Sequence, residues 1–176
     1  MAMDLSWIGR ELGPFELVWT AEQVILYALG IGAHDLQFAT ENSEGFALQV
    51  LPTFVTTVGK GGAAGHISVQ SFGSYAAHQV VHHSQRVEVY RALPPEGRAL
   101  STLRIAGIYD KRVGAQVDLV ATAVDPATGE RMFQNQSSLF ILGEGGFGGD
   151  RGLHHSAPYR VPRRAPDVSV VAQTDA

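Results

Sequence analysis

From Val80 to Leu142 apolar and polar residues alternate, and that periodicity constrains the fold more than any other feature of the sequence. Val87 and Val89 alternate with Arg86, Glu88 and Tyr90. Leu103, Ile105 and Tyr109 alternate with Thr102 and Arg104. Val113, Ala115, Val117 and Leu119 alternate with Gln116 and Asp118, and Phe133–Leu142 closes the series. A period of two places successive side chains on opposite faces, so each run reads as a strand with one face packed. The breaks between them are turn sequences, Leu93-Pro94-Pro95-Glu96-Gly97 and Asp125-Pro126-Ala127-Thr128-Gly129. Four strands with short connections predict an antiparallel meander. One helix laid on the apolar face would complete an α+β domain.

The chain ahead of the strands offers two candidate helices. Phe15–Trp19 reads as a further strand. Thr20 followed by Gln23 is a capping box, in which the hydroxyl and the amide each satisfy an orphan N–H. An apolar stripe follows, and Gly30 and Gly32 are stop signals, so a helix is predicted over Ala21–Gly30. Leu51-Pro52-Thr53-Phe54 can open a second, short helix, because proline is tolerated in a first turn; Gly59-Lys60-Gly61-Gly62 stops it. Glu41–Gly45 is a loop, so Glu41 and Glu44 read as solvated. Residues 1–142 are read as one domain. Residues 143–176 are read as a linker or surface-hugging tail, Gly-rich at first and then rich in Pro and Arg. No internal repeat is present.

Composition removes several functions. The chain has 176 residues, 45% of them apolar, enough for a real core. Thirteen Lys and Arg against seventeen Asp and Glu give a net charge of −4, with no clustered basic excess for nucleic acid. No apolar run reaches the roughly 20 residues of a membrane span, and no basic segment leads into an apolar one at the N-terminus. Cysteine is absent, which excludes disulfides, thiolate metal sites and a Cys nucleophile and fits a reducing, cytoplasmic setting. Seven histidines raise the question of a metal. His78 and His82 stand four apart, but no third ligand or HExxH pattern accompanies them, and adjacent histidines on a strand point to opposite faces. No metal site and no cofactor are expected. Gly143–Gly148 matches GxGxxG formally, yet no helical sequence follows, so it reads as an exit loop passing close to another backbone. Neither a GxSxG elbow nor a Walker A sequence is present. Gln134, Asn135 and Gln136 form a polar cluster in an apolar strand, read as an exposed or interface face, or as amides lining a channel.

Several stretches taken together resemble one family. They are Tyr27–Gly32 leading to Asp35-Leu36-Gln37-Phe38, then Leu51-Pro52-Thr53-Phe54, then His82–Arg91 with Leu93–Gly97. Asn135–Phe140 and Gly145–Gly149 follow in order. The set resembles the N-terminal repeat of the R-specific (type 2) enoyl-CoA hydratases, the MaoC-like dehydratases, over roughly Ser6 to Gly149. His83-Ser84 departs from it, since the family reads Gly-Glu there. The resemblance implies a hotdog fold, an antiparallel sheet wrapped around a central helix, and members are built from two such repeats. It implies that this repeat houses the acyl part of a CoA or carrier-protein thioester. The catalytic Asp and His would come from a second repeat or homologous hotdog subunit, in a Gly-Asp-x-Asn-Pro-x-His strip.

That strip is absent here, since neither Asn42 nor Asn135 precedes a proline. Hydrating a 2-enoyl thioester requires a carboxylate and an imidazole on one water, and donors for the thioester oxygen. His34 and Asp35 are neighbours in a loop and make no such pair, so no catalytic residue is assigned. Leu51, Phe54, His82 and Gln85 are the expected residues of the acyl-thioester pocket or partner interface; plain core packing is the ordinary alternative for Leu51 and Phe54. A non-catalytic hotdog homodimer that binds acyl chains or acts as a scaffold is the competing function. A hotdog thioesterase ranks last, because no acidic residue lies between Pro52 and Gly59.

Overall fold

A computed structural model of the chain describes residues 3–42, 44–61, 72–152 and 162–171. Its strands are β1 (Glu11–Trp19), β2 (Val80–Val89), β3 (Gly97–Asp110), β4 (Gly114–Val124) and β5 (Arg131–Leu142). Its helices are α1 (Ala21–Gly30), α2 (Leu36–Ala39) and α3 (Val55–Gly61). All five strands form one antiparallel sheet in the order β1-β3-β4-β5-β2. The helix α3 touches both β1 and β5, although two strands separate them in the sheet. A sheet can reach both sides of one helix only by curling around it.

The first helix forms where the capping box predicts. The Thr20 hydroxyl accepts from the Gln23 N–H, and the Gln23 side chain accepts from the Thr20 N–H. It ends at Gly30, and Gly32 takes a left-handed φ of +77° that a side chain would oppose. The second helix opens at Pro52–Phe54 as a 3-10 turn and continues as α3. The helix runs on through Gly59–Gly61 of its expected stop; Gly62, the last residue of that stop, lies outside the described residues, as do 153–161 and 172–176 of the tail.

The expected four-strand meander needs correction. β3, β4 and β5 do follow one another across the sheet, but β2 pairs with β5 at the far edge, and β1 occupies the other side of β3. The connection after β2 is responsible. Pro94 and Pro95 cannot donate ladder hydrogen bonds. Leu93 is buried, and the Trp19 indole N–H donates to the Pro94 carbonyl at 2.9 Å, which draws this segment toward β1. β1 also begins at Glu11, four residues before the strand read from the sequence. Gly13-Pro14 interrupts the apolar pattern there, and the β1–β3 register shifts between Leu12 and Phe15.

The buried face of the sheet carries two apolar clusters. Leu17, Trp19, Val24, Phe54, Val55, Ala99, Ala123 and Phe133 join the sheet to α1 and α3. Met3, Phe72, Tyr75, Leu103, Ile105, Val117 and Ile141 fill the other end. There the described cover is Met3, Trp7 of the 3-10 turn Leu5–Trp7, and Phe72–Tyr75. Burial, with the charge of Glu144 adding to it, pushes the Tyr75 phenol up to about 12, so it stays neutral at ordinary pH.

The Gly-rich run after β5 is bonded to the domain. Gly143 N–H donates to Val113 O, Asp110 N–H donates to Asp150 O, and Gly145 sits so close to the Arg112 carbonyl that a Cβ would come within 2.4 Å of its oxygen. Asp110 is the clamp. Its Oδ1 accepts from the Arg112 and Gly146 N–H groups and its Oδ2 from Gly148 N–H, at 2.8–2.9 Å. The amides that a GxGxxG loop would offer a phosphate are thus taken by the protein's own carboxylate. These backbone donors, Gly146 first, hold the Asp110 carboxyl below the ordinary carboxylate value.

Two outcomes follow. A lowered folded pKa contributes stability above the unfolded pKa and loses it as pH falls through the folded one. Asp110→Asn should therefore unfold at lower denaturant than wild type at neutral pH, with the difference closing in acid; a difference constant with pH would exclude the clamp. At Gly97, a Cβ would stand 2.5 Å from the buried Trp19 ring. Gly97→Ala is expected to destabilise by about 1–3 kcal/mol through overpacking, read from urea unfolding followed by Trp fluorescence.

Candidate functional site

A helix buries one stripe, and residues three and four apart share it. On α1 the stripe into the core is Val24 and Ala28, and the neighbouring face of Gln23, Leu26 and Tyr27 is left over. This face does not close against the sheet. It leaves a cleft of about 330 Å³ between α1, the end of β1 and the start of α3, lined by Val18, Gln23, Leu26, Tyr27, Phe54, Thr57 and Val58. No charged side chain is among these residues. Leu26 and Val18 are 71% and 64% exposed, so the apolar wall is open to an incoming group. Tyr27 and Phe54 meet edge to face with centroids 5.6 Å apart and form the floor. The Thr57 hydroxyl donates to the Phe54 carbonyl at 2.7 Å, turning its polar end back into the chain.

The four residues singled out in the sequence occupy different places. Phe54 is 3% exposed and lines the cleft. Leu51 starts the 3-10 turn, its carbonyl accepting from Phe54 N–H, and is not among the described residues lining the cleft. His82 and Gln85 lie on the exposed edge strand β2. In a regular strand residues three apart face opposite ways, yet His82 Nε2 and Gln85 Oε1 are 3.1 Å apart. The β2–β5 register explains this: His82 pairs with Leu139 and Ser84 with Ser138, so His83 is an extra, bulged residue. The bulge falls at the departure from the family pattern, and the His83 ring tilts over Phe140.

Asn135 joins the two places. It stands in the polar cluster read as an exposed or interface face, and the strand divides that cluster. Asn135 is 8% exposed and points into the core, while Gln134 and Gln136 take the opposite face. Its Oδ1 accepts from Gln85 Nε2 at 2.5 Å, and its Nδ2 donates to the Val55 carbonyl at 2.9 Å, at the first residue of α3. Ser137 Oγ also donates to Gln85 Oε1, at 2.8 Å. A line of hydrogen bonds therefore runs from the sheet edge to the helix that walls the cleft.

The cleft residues other than Phe54 escaped the sequence reading. The signal was present in part: Gln23, Leu26 and Tyr27 share a helix face, but the exposure of that face depends on where α1 docks. The described histidines are His34, His78, His82 and His83, and none is bonded to a carboxylate. No group of three metal-ligating side chains occurs among the described residues. No helix among them is long and apolar enough to cross a membrane.

Comparison with known proteins agrees with this architecture. Residues 17–143 match the family model of the MFE-2 hydratase 2 N-terminal domain. The 3-hydroxyacyl-thioester dehydratase Y of Mycobacterium tuberculosis is 37% identical over 175 residues, covering 97% of this chain and 58% of the relative. Enoyl-CoA hydratase ChsH3 of the same organism is 35% identical, covering 97% and 60%. The MaoC-like dehydratase of Phytophthora capsici superposes with a TM-score of 0.77 at 22% identity, over 94% of this chain and 58% of that one. The chain spans about three fifths of the length of these relatives. With the match covering most of its length, the chain belongs to the MFE-2 hydratase 2 N-terminal domain family and has its hotdog fold.

Proposed function

We propose that this chain is the acyl-binding half of an R-specific 2-enoyl thioester hydratase or 3-hydroxyacyl thioester dehydratase. The observation that carries the reading is the open cleft over Tyr27 and Phe54, with no charged side chain among its described lining, in a domain where no described histidine meets a carboxylate. An apolar wall gains free energy for each methylene it covers, about 0.8 kcal/mol when burial is complete. It does nothing for a water that must be deprotonated. The catalytic Asp and His would come from a second hotdog repeat or subunit.

The edge strand β2 is where such a second unit would add. It ends the sheet, and His82, His83, Ser84, Gln85 and Arg86 are all exposed. An unpaired edge is a template for another strand. His82 and Gln85 on this reading belong to that interface, while Phe54 and its neighbours hold the acyl tail. Relatives named as a thioester dehydratase and as an enoyl-CoA hydratase support the thioester as substrate class. The solved HadBC complex, a 3R-hydroxyacyl-ACP dehydratase of Mycobacterium tuberculosis, supports a paired assembly on the same fold.

The test is a spectrophotometric assay of crotonyl-CoA hydration. The chain alone is expected to give no turnover above background. Mixed with a chain bearing the Gly-Asp-x-Asn-Pro-x-His strip, it should give the R alcohol; removing general acid–base groups alone forfeits about 10²–10⁴-fold. Val58→Trp, which fills the cleft, should weaken binding of long acyl-CoA while sparing short. Robust turnover by the single chain would overturn the division of labour, and equal loss for all chain lengths would move the acyl site elsewhere.

A further inference from the structure

We propose that Asn135 is the positioning residue of the acyl cleft, holding the turn that carries Phe54, Thr57 and Val58 against the sheet; this rests on the acyl reading above. Three of the seven described lining residues come from that short turn and the first part of α3. Among the described residues the turn is anchored to the strands by packing and by one buried side-chain bond, Asn135 Nδ2 to the Val55 carbonyl. Packing is not directional, whereas an amide donor 2.9 Å from a carbonyl fixes both distance and angle.

The direction of the bonds is set from the inside outward. A backbone carbonyl only accepts, so Asn135 must present its NH₂ to Val55. Its oxygen then faces Gln85, which must present its own NH₂ to Asn135 and its oxygen outward. That oxygen accepts from the Ser137 hydroxyl and leaves His82 Nε2 to donate. Each amide is held in one of its two orientations by the next. Asn135 is therefore not exchangeable for a residue of similar shape: leucine offers no donor, and an ionised aspartate turns an acceptor toward an acceptor. A protonated aspartate does offer an O–H.

The surroundings isolate this effect. Asn135 stands beside Val87 on β2 and Ala121 on β4, with Val55 beneath it, none of them titratable. The titratable group nearest along the line is His82, two amides from Val55, and its protonated form still donates through Nε2. A buried carboxyl is pushed upward by desolvation, so the carboxyl introduced by Asn135→Asp should regain its proton in mild acid.

The experiment uses the full chain, with Asn135→Leu, Asn135→Asp and Gln85→Leu. It reads hydrogen exchange of the α3 amides against those of β4, and affinity for dodecanoyl-CoA against butanoyl-CoA. In Asn135→Leu, α3 exchange should rise and dodecanoyl-CoA affinity should fall by about tenfold, with β4 and butanoyl-CoA unchanged. Asn135→Asp should match it at about pH 8 and return toward wild type at about pH 5. Gln85→Leu, an exposed change that leaves Asn135 unanchored, should show the same pattern more weakly. Wild-type α3 exchange in Asn135→Leu overturns the proposal. So does equal loosening of β4 in both Asn135 variants, or an Asn135→Asp defect that ignores pH. If Asn135→Leu does not fold, an unchanged α3 in Gln85→Leu overturns it instead. A wild-type chain that binds neither acyl-CoA sinks the acyl reading, while the exchange data still decide what Asn135 holds.

Discussion

The bond from Asn135 to the Val55 carbonyl ties the sheet to the helix side at a fixed distance, within the packing of Phe54 and Val55. The buried face of the sheet has an apolar cluster at each end and a band of smaller and polar groups between, with Ser101, Ala121, Asn135 and Ser137 on neighbouring strands. A buried amide without partners costs about 1–3 kcal/mol in proteins. Asn135 is tolerated because both ends of its amide are used, one on the helix and one on the edge strand. The same requirement forces the register. A slip of β2 by one residue would turn Gln85 outward and leave Asn135 Oδ1 alone. The bulge at His83 lets His82 share that face without disturbing the pairing of Gln85 with Ser137.

The alternation in the sequence made the strands legible because period two is a local property. The helix over Ala21–Gly30 was legible for the same reason, since Thr20 and Gln23 are three residues apart and their bonds close within one turn. The pairing order was not legible. Whether β2 lies beside β3 or β5 depends on residues 90–96, and their path is set by Trp19, 75 residues from Pro94 in sequence. Asn135 shows the same limit at the site. Its place in a polar cluster suggested an open face, but alternation alone sends Asn135 one way and Gln134 and Gln136 the other, and only the partner 80 residues away makes the buried position tolerable. The cleft is harder still to read, because it is defined by what α1 fails to cover.

The cleft and the β2 edge differ in the chemistry they expose. The cleft opens mainly through apolar Leu26 and Val18, beside Gln23 and Thr57, whereas the β2 edge opens mainly through His82, His83, Ser84, Gln85 and Arg86, which are polar or charged, beside Val81. An apolar opening suits a ligand that leaves water entirely, such as an acyl tail. A polar edge suits a surface that stays hydrated until a matching strand arrives, and it discourages indiscriminate pairing in the meantime. The two openings are joined by the His82–Gln85–Asn135–Val55 line. A strand added at the edge would therefore meet the outer end of the same hydrogen bonds that hold the cleft's wall.

That connection bears on why binding and chemistry are separable here. Covering an acyl chain lowers the free energy of substrate and transition state alike, and such uniform binding does not speed the chemical step. Acceleration needs groups that act only as charge and protons move, which on this reading a second unit brings. The binding half then contributes by placing the reacting carbons, and placement tolerates little error: about an ångström of misplacement can cost on the order of 10²-fold. A directional bond adds to close packing a fixed distance and angle for the wall. The Asn135 amide fixes the wall to β5, and β5 is hydrogen-bonded to β2, the proposed seat of the second unit. The position of the acyl tail and the position of the catalytic partner are thus referred to the same pair of strands.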